Sequence, residues 1–245
     1  MKSIVGAADS GNSCTKWAEF RNGLLADHGT WPDLDTNING VASDIRHWKL
    51  AGVHPERLLA VKKALESHGK TCEVLSNPTS FGLNLDLEHP DKVGVDRVAA
   101  AWGAWLRTGK GRGCVVVDAG TAVTIDYVDE SGTFRGGAIL PGLDLMLKSL
   151  ADGTRLLPRL FPTDVSSQSS WPGRSTRKAI VAGALAAQTG AVMALISMAR
   201  NKNPDIQVFL TGGGGELIGK AISTQFEFVP TLVLEGIAKA GEIAP

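Results

Sequence analysis

Two short stretches of this chain repeat the pattern Asp-x-Gly-[Asn/Thr]: Asp9-Ser-Gly-Asn12 and Asp118-Ala-Gly-Thr121. Each follows an apolar run that reads as a buried strand (Ile4 to Ala8, Cys114 to Val117) and precedes a second one (Thr15 to Phe20, Val123 to Val128). The chemistry such a turn suits is phosphate binding. Gly11 and Gly120 let the backbone approach an anion that a Cβ would hold off, and the amides there can hydrogen-bond its oxygens. Asn12, Ser13, Thr121 and Thr124 add neutral donors. Asp9 and Asp118 stand where a carboxylate can hold Mg²⁺ or its waters beside the phosphates. Taken singly, each stretch is also an ordinary Asp-Gly hairpin turn. A third glycine cluster, Thr211 to Gly215 with Gly212 and Gly213 at its centre, leaves a strand and opens a helix, which is a usual place for a nucleotide phosphate. Three such elements in this order point together to a nucleotide. Lys16, four residues past Asn12, is either a point charge for a phosphate or an exposed edge lysine, and the sequence leaves both open.

Two other carboxylates carry chemical interest. Asp96 sits in Val93-Gly-Val-Asp-Arg97, in the first turns of an otherwise apolar helix. There a carboxylate can face a cleft and accept a proton or orient a hydroxyl, as the catalytic carboxylate of a kinase does. Asp96 and Arg97 also suit a plain helix start, and on residue statistics alone that is the commoner case. Asp126 shares a strand face with Thr124, because side chains two apart point the same way, so it faces the phosphate turn.

The elements that must hold these residues are duplicated. After each hairpin comes a third strand, Leu24 to Trp31 past the Asn22-Gly23 turn, and Phe134 to Leu140 past Ser131-Gly132. Helices and strands then alternate. In the first half they are expected at 36–46, 48–53, 55–68 and 72–75, with a long helix at 91–107. In the second they are expected at 142–151, 176–200, 206–211, 214–223, 226–229 and 232–241. Meandering strands followed by alternating helices predict an α/β fold, each half a mixed sheet covered on both faces. The Pro- and Ser-rich segment 159–175 and the segment 76–90 read as long loops of the functional kind. The helix at 176–200 is apolar over more than one face (Ile180, Val181, Leu185, Val192, Met193, Leu195), so it either meets a second subunit or crosses the centre of one lobe.

Composition narrows the class. The 245 residues are 43% hydrophobic and 20% charged, and 25 Lys and Arg balance 25 Asp and Glu. A general nucleic-acid or membrane-surface binder would carry a basic excess. No apolar run reaches the roughly 18–20 residues of a membrane span, and no secretory signal is visible. Cys14, Cys72 and Cys114 have no CxxC spacing, which suits a reducing compartment. The five histidines have no metal-ligand spacing.

In sequence order, Asp9-Ser-Gly-Asn-Ser13, Gly94-Val-Asp-Arg97, Asp118-Ala-Gly-Thr-Ala-Val-Thr-Ile-Asp126 and Gly136-Gly-Ala-Ile-Leu-Pro-Gly142 resemble the successive motifs of the type III pantothenate kinases. Thr154 to Pro158, Thr176-Arg-Lys-Ala-Ile-Val-Ala-Gly183 and Thr211-Gly-Gly213 continue the series. The resemblance implies the duplicated, two-lobed actin-like ATPase fold of the acetate and sugar kinase, actin and heat-shock ATPase superfamily, with lobes at 1–112 and 113–245. It implies ATP-dependent phosphorylation of pantothenate to 4'-phosphopantothenate, the first step towards coenzyme A, in the cytoplasm. It further implies Mg²⁺, a monovalent cation (K⁺ or NH₄⁺) and a homodimer, with no nucleic-acid or membrane partner. Carried over by residue, Asp96 is the base facing the pantothenate hydroxyl. Gly94, Val95, Arg97 and a Thr176 reaching across from the partner subunit contact the acceptor. Asp126 holds the monovalent cation. Asp9, Gly11, Asn12, Ser13, Lys16, Asp118, Gly120, Thr121, Gly212 and Gly213 hold Mg-ATP. The chain departs from the family at Leu87, where a Tyr is common, at Arg155, where Ala is usual, and at Ser13, where Thr is common. Leu87 bears on the acceptor pocket. The alternatives are a kinase of the same fold with another hydroxyl acceptor, a regulatory protein like the Bvg accessory factors, and an actin-like structural protein.

Overall fold

A computed structural model of the chain describes residues 4–31, 38, 44–109, 111–167, 169 and 171–241. The chain forms two units, one of Met1–Gly111, Glu130–Arg135 and Thr231–Pro245, the other of Arg112–Asp129 and Gly136–Pro230.

In the first unit, strands β1 (Ile4–Ser10), β2 (Thr15–Arg21), β3 (Leu24–Trp31), β4 (His47–Gly52) and β5 (Thr71–Val74) lie in the order β3-β2-β1-β4-β5. The first three form an antiparallel meander, and β4 and β5 add on in parallel. Asn22 and Gly23 both take positive φ (56° and 76°), the backbone a two-residue hairpin between twisted strands requires. Between β4 and β5 runs α1 (Pro55–Ser67). Its proline stands in the first turn, and the His54 ring accepts a hydrogen bond from the Arg57 amide. Trp17 stacks on Trp31 at 5.7 Å between centroids, Trp48 lies tilted against Trp31 at 5.9 Å, and the three pack with Leu50, Val61 and Leu65 as the core. Gly6 on β1 has no Cβ because the Trp48 ring fills that space.

Helix α2 (Val95–Arg107) and helix α6 (Leu232–Ala238) complete this unit, together with the two-residue strand β6 (Asn84–Leu85) paired to Thr133 and Phe134. α6 is buried at all seven positions, and its contact with α2 is a glycine-to-backbone one. A Cβ on Gly236 would meet the Ala99 carbonyl, and one on Gly103 the Leu232 carbonyl at 2.7 Å. Arg107 donates twice to the Glu235 carboxylate, at 2.8 and 2.9 Å. A bidentate pair of this kind is among the stronger polar contacts.

The second unit repeats the topology. Strands β7 (Cys114–Ala119), β8 (Ala122–Val128), β9 (Thr133–Pro141), β10 (Gln207–Thr211) and β11 (Glu227–Phe228) run β11-β10-β7-β8-β9. Read from the third strand of each meander, both units have the order third, second, first, fourth, fifth. In each, the fourth and fifth strands lie parallel to the first. α3 (Leu143–Asp152), α4 (Thr176–Lys202) and α5 (Gly215–Ala221) follow the meander in the same order as the chain. The core joins Val115, Val117 and Ile125 of the sheet to Val192 and Ile196 of α4.

The expected strands and helices of the two repeats are present to within a few residues. The helix expected from 91 opens as a 3-10 turn at Pro90–Lys92 and becomes α-helical at Val95. β6 was not foreseen, since two residues carry no period. The helix expected over 36–46 falls mostly outside the described residues. Although no uninterrupted apolar run is present, α4 has the length and composition of a membrane-crossing helix, at mean hydropathy 1.9, with 44% of that stretch buried inside the protein. Its Gly, Gln, Thr and Ser residues break the run by eye while the average stays apolar.

Candidate active site

The first Asp-x-Gly turn joins β1 to β2. Ser10 faces Thr15 across the hairpin with their hydroxyls 3.2 Å apart, and the Gly11 amide closes the turn on the Cys14 carbonyl at 3.1 Å. Asp9 is half-buried opposite Lys16, while Asn12 and Ser13 are exposed. Lys16 is also half-buried. Gly52, at the end of β4, lies against the turn from behind, where a Cβ would strike the Ser10 backbone. A Cβ on Gly11 would make an ordinary contact with the Cys14 carbonyl at 3.5 Å.

The second turn joins β7 to β8, with Asp118 opposite Thr124 and the Gly120 amide bonded to the Ala122 carbonyl at 2.9 Å. Two further segments close on it. Thr211 of β10 pairs with Asp118, and the glycine cluster that follows is tied back by Gly214 N–H to the Ala119 carbonyl at 2.9 Å. Gly212 takes φ 81° and lies so close that a Cβ would fall on Asp118 Oδ1 and the Ala119 carbonyl. From the other side, Gly142 donates its amide to the Thr121 carbonyl at 3.0 Å, and a Cβ on it would meet the Thr121 and Gly120 carbonyls. Gly213 has no atom within 4 Å of where its Cβ would be. The second unit therefore brings Asp118, Gly120, Thr121, Gly212 and Gly213 together as one bare-backbone cradle ending in a carboxylate. Gly120, Thr121 and Gly213 are exposed, so an anion can approach the backbone there closely.

Asp126 lies two residues past Thr124 on β8 and is 1% exposed. β9 passes beside it at Gly137, whose Cβ would sit 2.5 Å from Asp126 Oδ1. In the first unit Gly94 caps α2, and the Arg97 amide donates to Asp96 Oδ1 at 2.9 Å. The helix N-terminus favours a carboxylate at that place. Asp96 and Arg97 are half-buried, with the guanidinium 5.9 Å from the Phe134 ring centroid, whereas Val95 packs inward. Leu87 is half-buried in the bend before Pro90. Thr176 is exposed in the first turn of α4, where Ser175 caps the helix by accepting from the Lys178 amide.

Sequence reasoning passed over Gly52 as a site-building residue, and gave Gly137 and Gly142 no role of their own. Each matters through the element it touches, far away in sequence. The local signal was a glycine ending a strand or opening a helix. No cluster of three His, Cys, Asp or Glu side chains fit for a metal occurs among the described residues. The donor set still fits Mg²⁺ bound with a nucleotide, because that ion takes one or two carboxylates and draws its other ligands from phosphates and water. Burial pushes the Cys114 thiol far up, and the Cys72 thiol up to about 11.

A sequence model of the type III pantothenate kinases matches residues 7–198. Proteins named type III pantothenate kinase from Polaromonas sp. (31% identical) and Halorhodospira halophila (32%) align over 94% of this chain and 94% of their own. Among solved structures, a Campylobacter jejuni protein described as a conserved Baf family transcriptional activator superposes with a TM-score of 0.63 at 23% identity, over 97% of this chain and 96% of its own. A Listeria monocytogenes protein described as an N-acetylmannosamine kinase gives 0.54 at 11% identity, covering 98% of each chain. These likenesses establish the actin-like fold and nothing finer.

Proposed function

The chain belongs to the type III pantothenate kinase family and phosphorylates pantothenate at the expense of ATP, in coenzyme A biosynthesis; from that premise we propose how its residues divide the work. The second unit holds the nucleotide. What supports this is the cradle of Gly120, Thr121, Gly212 and Gly213 around Asp118, where several segments bring glycine backbone together beside a carboxylate. The first hairpin, with Gly11, Asn12, Ser13 and Lys16, supplies the remaining phosphate contacts. Asp9 and Asp118 would hold Mg²⁺, whose charge offsets that of the phosphates. Asp126, buried beside the Ile125 and Gly137 backbone, would hold the monovalent cation. Its full burial next to backbone oxygen suits a dehydrated ion of single charge.

Asp96 accepts the proton of the pantothenate hydroxyl as that oxygen attacks the γ-phosphorus. The new O–P bond forms while the bond to the β-phosphate oxygen breaks, leaving ADP and 4'-phosphopantothenate. Positioning and charge neutralisation supply most of the acceleration, and the carboxylate supplies the direction of the proton. Gly94, Val95 and Arg97 line the acceptor side, and Leu87 contacts it without a hydrogen bond. The protein acts in the cytoplasm as a homodimer in which Thr176 of one subunit serves the other's acceptor site. In support, α4 exposes Ala179, Gly183, Ala186, Gly190 and Ala194 along its length, small residues that let another helix approach. The lobes divide functionally near residue 112.

The test is a coupled assay of the purified protein over a panel of small hydroxyl compounds, with the mass measured by light scattering. Pantothenate as the preferred acceptor and a dimer are expected. Turnover of a different compound with none on pantothenate would make Leu87 the mark of a changed substrate, and a monomer would remove the role of Thr176.

A further inference from the structure

Among the described residues, three glycines stand where their missing Cβ makes room for a carboxylate oxygen well within 3.0 Å, and the three carboxylates are Asp96, Asp118 and Asp126, met by Gly94, Gly212 and Gly137. At Gly212 and Gly137 the same Cβ would also strike backbone, and Gly212 has a positive φ. Those two glycines have reasons of their own. Gly94 does not. Its backbone (φ −58°, ψ 128°) is one that any L-residue adopts. Apart from Asp96 Oδ1, the nearest atoms to its Cβ position are Asp96 Cγ at 3.6 Å and Val53 Cγ1 at 3.8 Å, both ordinary contacts. As a helix cap, glycine is no better than serine. What the bare position admits is one rotamer of one side chain.

We infer that Gly94 is a positioning residue for Asp96: the absence of a Cβ lets the carboxylate fold back over the first turn of α2, where Oδ1 accepts the Arg97 amide and Oδ2 is left to face the acceptor. With a Cβ at 94, Oδ1 must leave that place, either by turning of the carboxylate about its broad χ2 or by a change of χ1 rotamer, and its hydrogen bond with the Arg97 amide is disturbed. The inference rests on Asp96 being the base that takes the hydroxyl proton. It adds that Gly94, besides lining the acceptor side, sets where that base points.

Four variants test it: Gly94→Ala, Gly94→Ser, Asp96→Asn, and Gly94→Ala combined with Asp96→Asn, each assayed for kcat, for KM of ATP and pantothenate, and for thermal stability. Gly94→Ser is informative because serine is a favoured cap, so a merely structural role for residue 94 predicts a protein as stable as the parent with kcat unchanged, and a lost acceptor contact alone would raise KM for pantothenate rather than lower kcat. The positioning role predicts a stable protein whose kcat falls by roughly 10–100-fold, the scale of a misplaced catalytic group. KM for ATP should be unchanged. The double variant should turn over within about twofold of Asp96→Asn alone, since a residue acting only through another has nothing left to act on. Wild-type kcat in both Gly94 variants alongside an impaired Asp96→Asn would overturn the inference and leave the base in place. Multiplied losses in the double variant would also overturn it. Near-normal turnover of Asp96→Asn would remove the base and the inference together.

Discussion

The two hairpins share a sequence pattern and a place in the topology, yet they are held differently. Between Ser10 and Thr15 the first hairpin carries four residues, closed by the Gly11–Cys14 bond and backed by the single approach of Gly52. Between Ala119 and Val123 the second carries three, and both Gly142 and the Gly212–Gly214 loop bond to its strand end or tip. Opposite the aspartate, the first has Lys16 and the second Thr124. A duplicated scaffold has thus kept the glycine and the carboxylate of the turn while dividing the rest. One copy is braced from two sides as a cradle, and the other is more open, with a cation opposite its carboxylate and the Asp96 helix in its own unit. Such a division suits a kinase, where one substrate must be held still and the other delivered to it.

The account breaks most visibly at the base. Asp96→Asn keeps shape and removes charge, so turnover should fall roughly 10²–10⁴-fold while KM for ATP stays within a few fold. Steady-state kinetics with ATP varied at saturating pantothenate read both numbers. Next in size is the brace of the second hairpin. Gly212→Ala forces a side chain into positive φ and onto Asp118, and strain of about 1–3 kcal/mol corresponds to roughly 5–150-fold in ATP affinity. The same rise in KM for ATP is expected whether pantothenate is present or replaced by another acceptor. A smaller contrast concerns Asp126. The parent should run several-fold faster in K⁺ or NH₄⁺ than in Na⁺ buffer, and Asp126→Ala should erase the difference. Equal rates in all three salts for the parent would remove the cation from the account. The smallest effect is at Leu87. One neutral hydrogen bond contributes about 0.5–1.5 kcal/mol, so Leu87→Tyr should lower KM for pantothenate by at most about tenfold and leave ATP untouched.

What could be read from the chain, and what could not, follows from the range of the forces involved. The strands Ile4–Ser10 and Cys114–Ala119 and the turns after them announce themselves within a dozen residues, through apolar runs ended by Asp and Gly. The order of the motifs carried the family, and the repeated strand order of the two sheets agrees with the duplication. By contrast, the residues that hold the second hairpin lie far from it in sequence. Gly142 and Gly212 are separated from Gly120 by 22 and 92 positions, and only the folded chain shows a bare backbone pressed on another. The last helix was placed correctly as a helix, but nothing in Leu232–Ala238 says that it packs on α2. Gly236 against Ala99 and Glu235 on Arg107 decide that, and both are long-range. The site reading at Asp96 had a local signal of the weakest kind, a charged residue in a first helical turn.

Equilibrium binding of Mg-ATP by titration calorimetry, with no acceptor present, to the parent, Asp96→Asn and Gly212→Ala tests the division of labour most directly. Asp96→Asn should bind ATP within a few fold of the parent although it scarcely turns over, and Gly212→Ala should bind it roughly 5–150-fold more weakly. Weakened ATP binding in Asp96→Asn, or parental affinity in Gly212→Ala, would contradict the placing of the nucleotide in the second unit and of the base in the first.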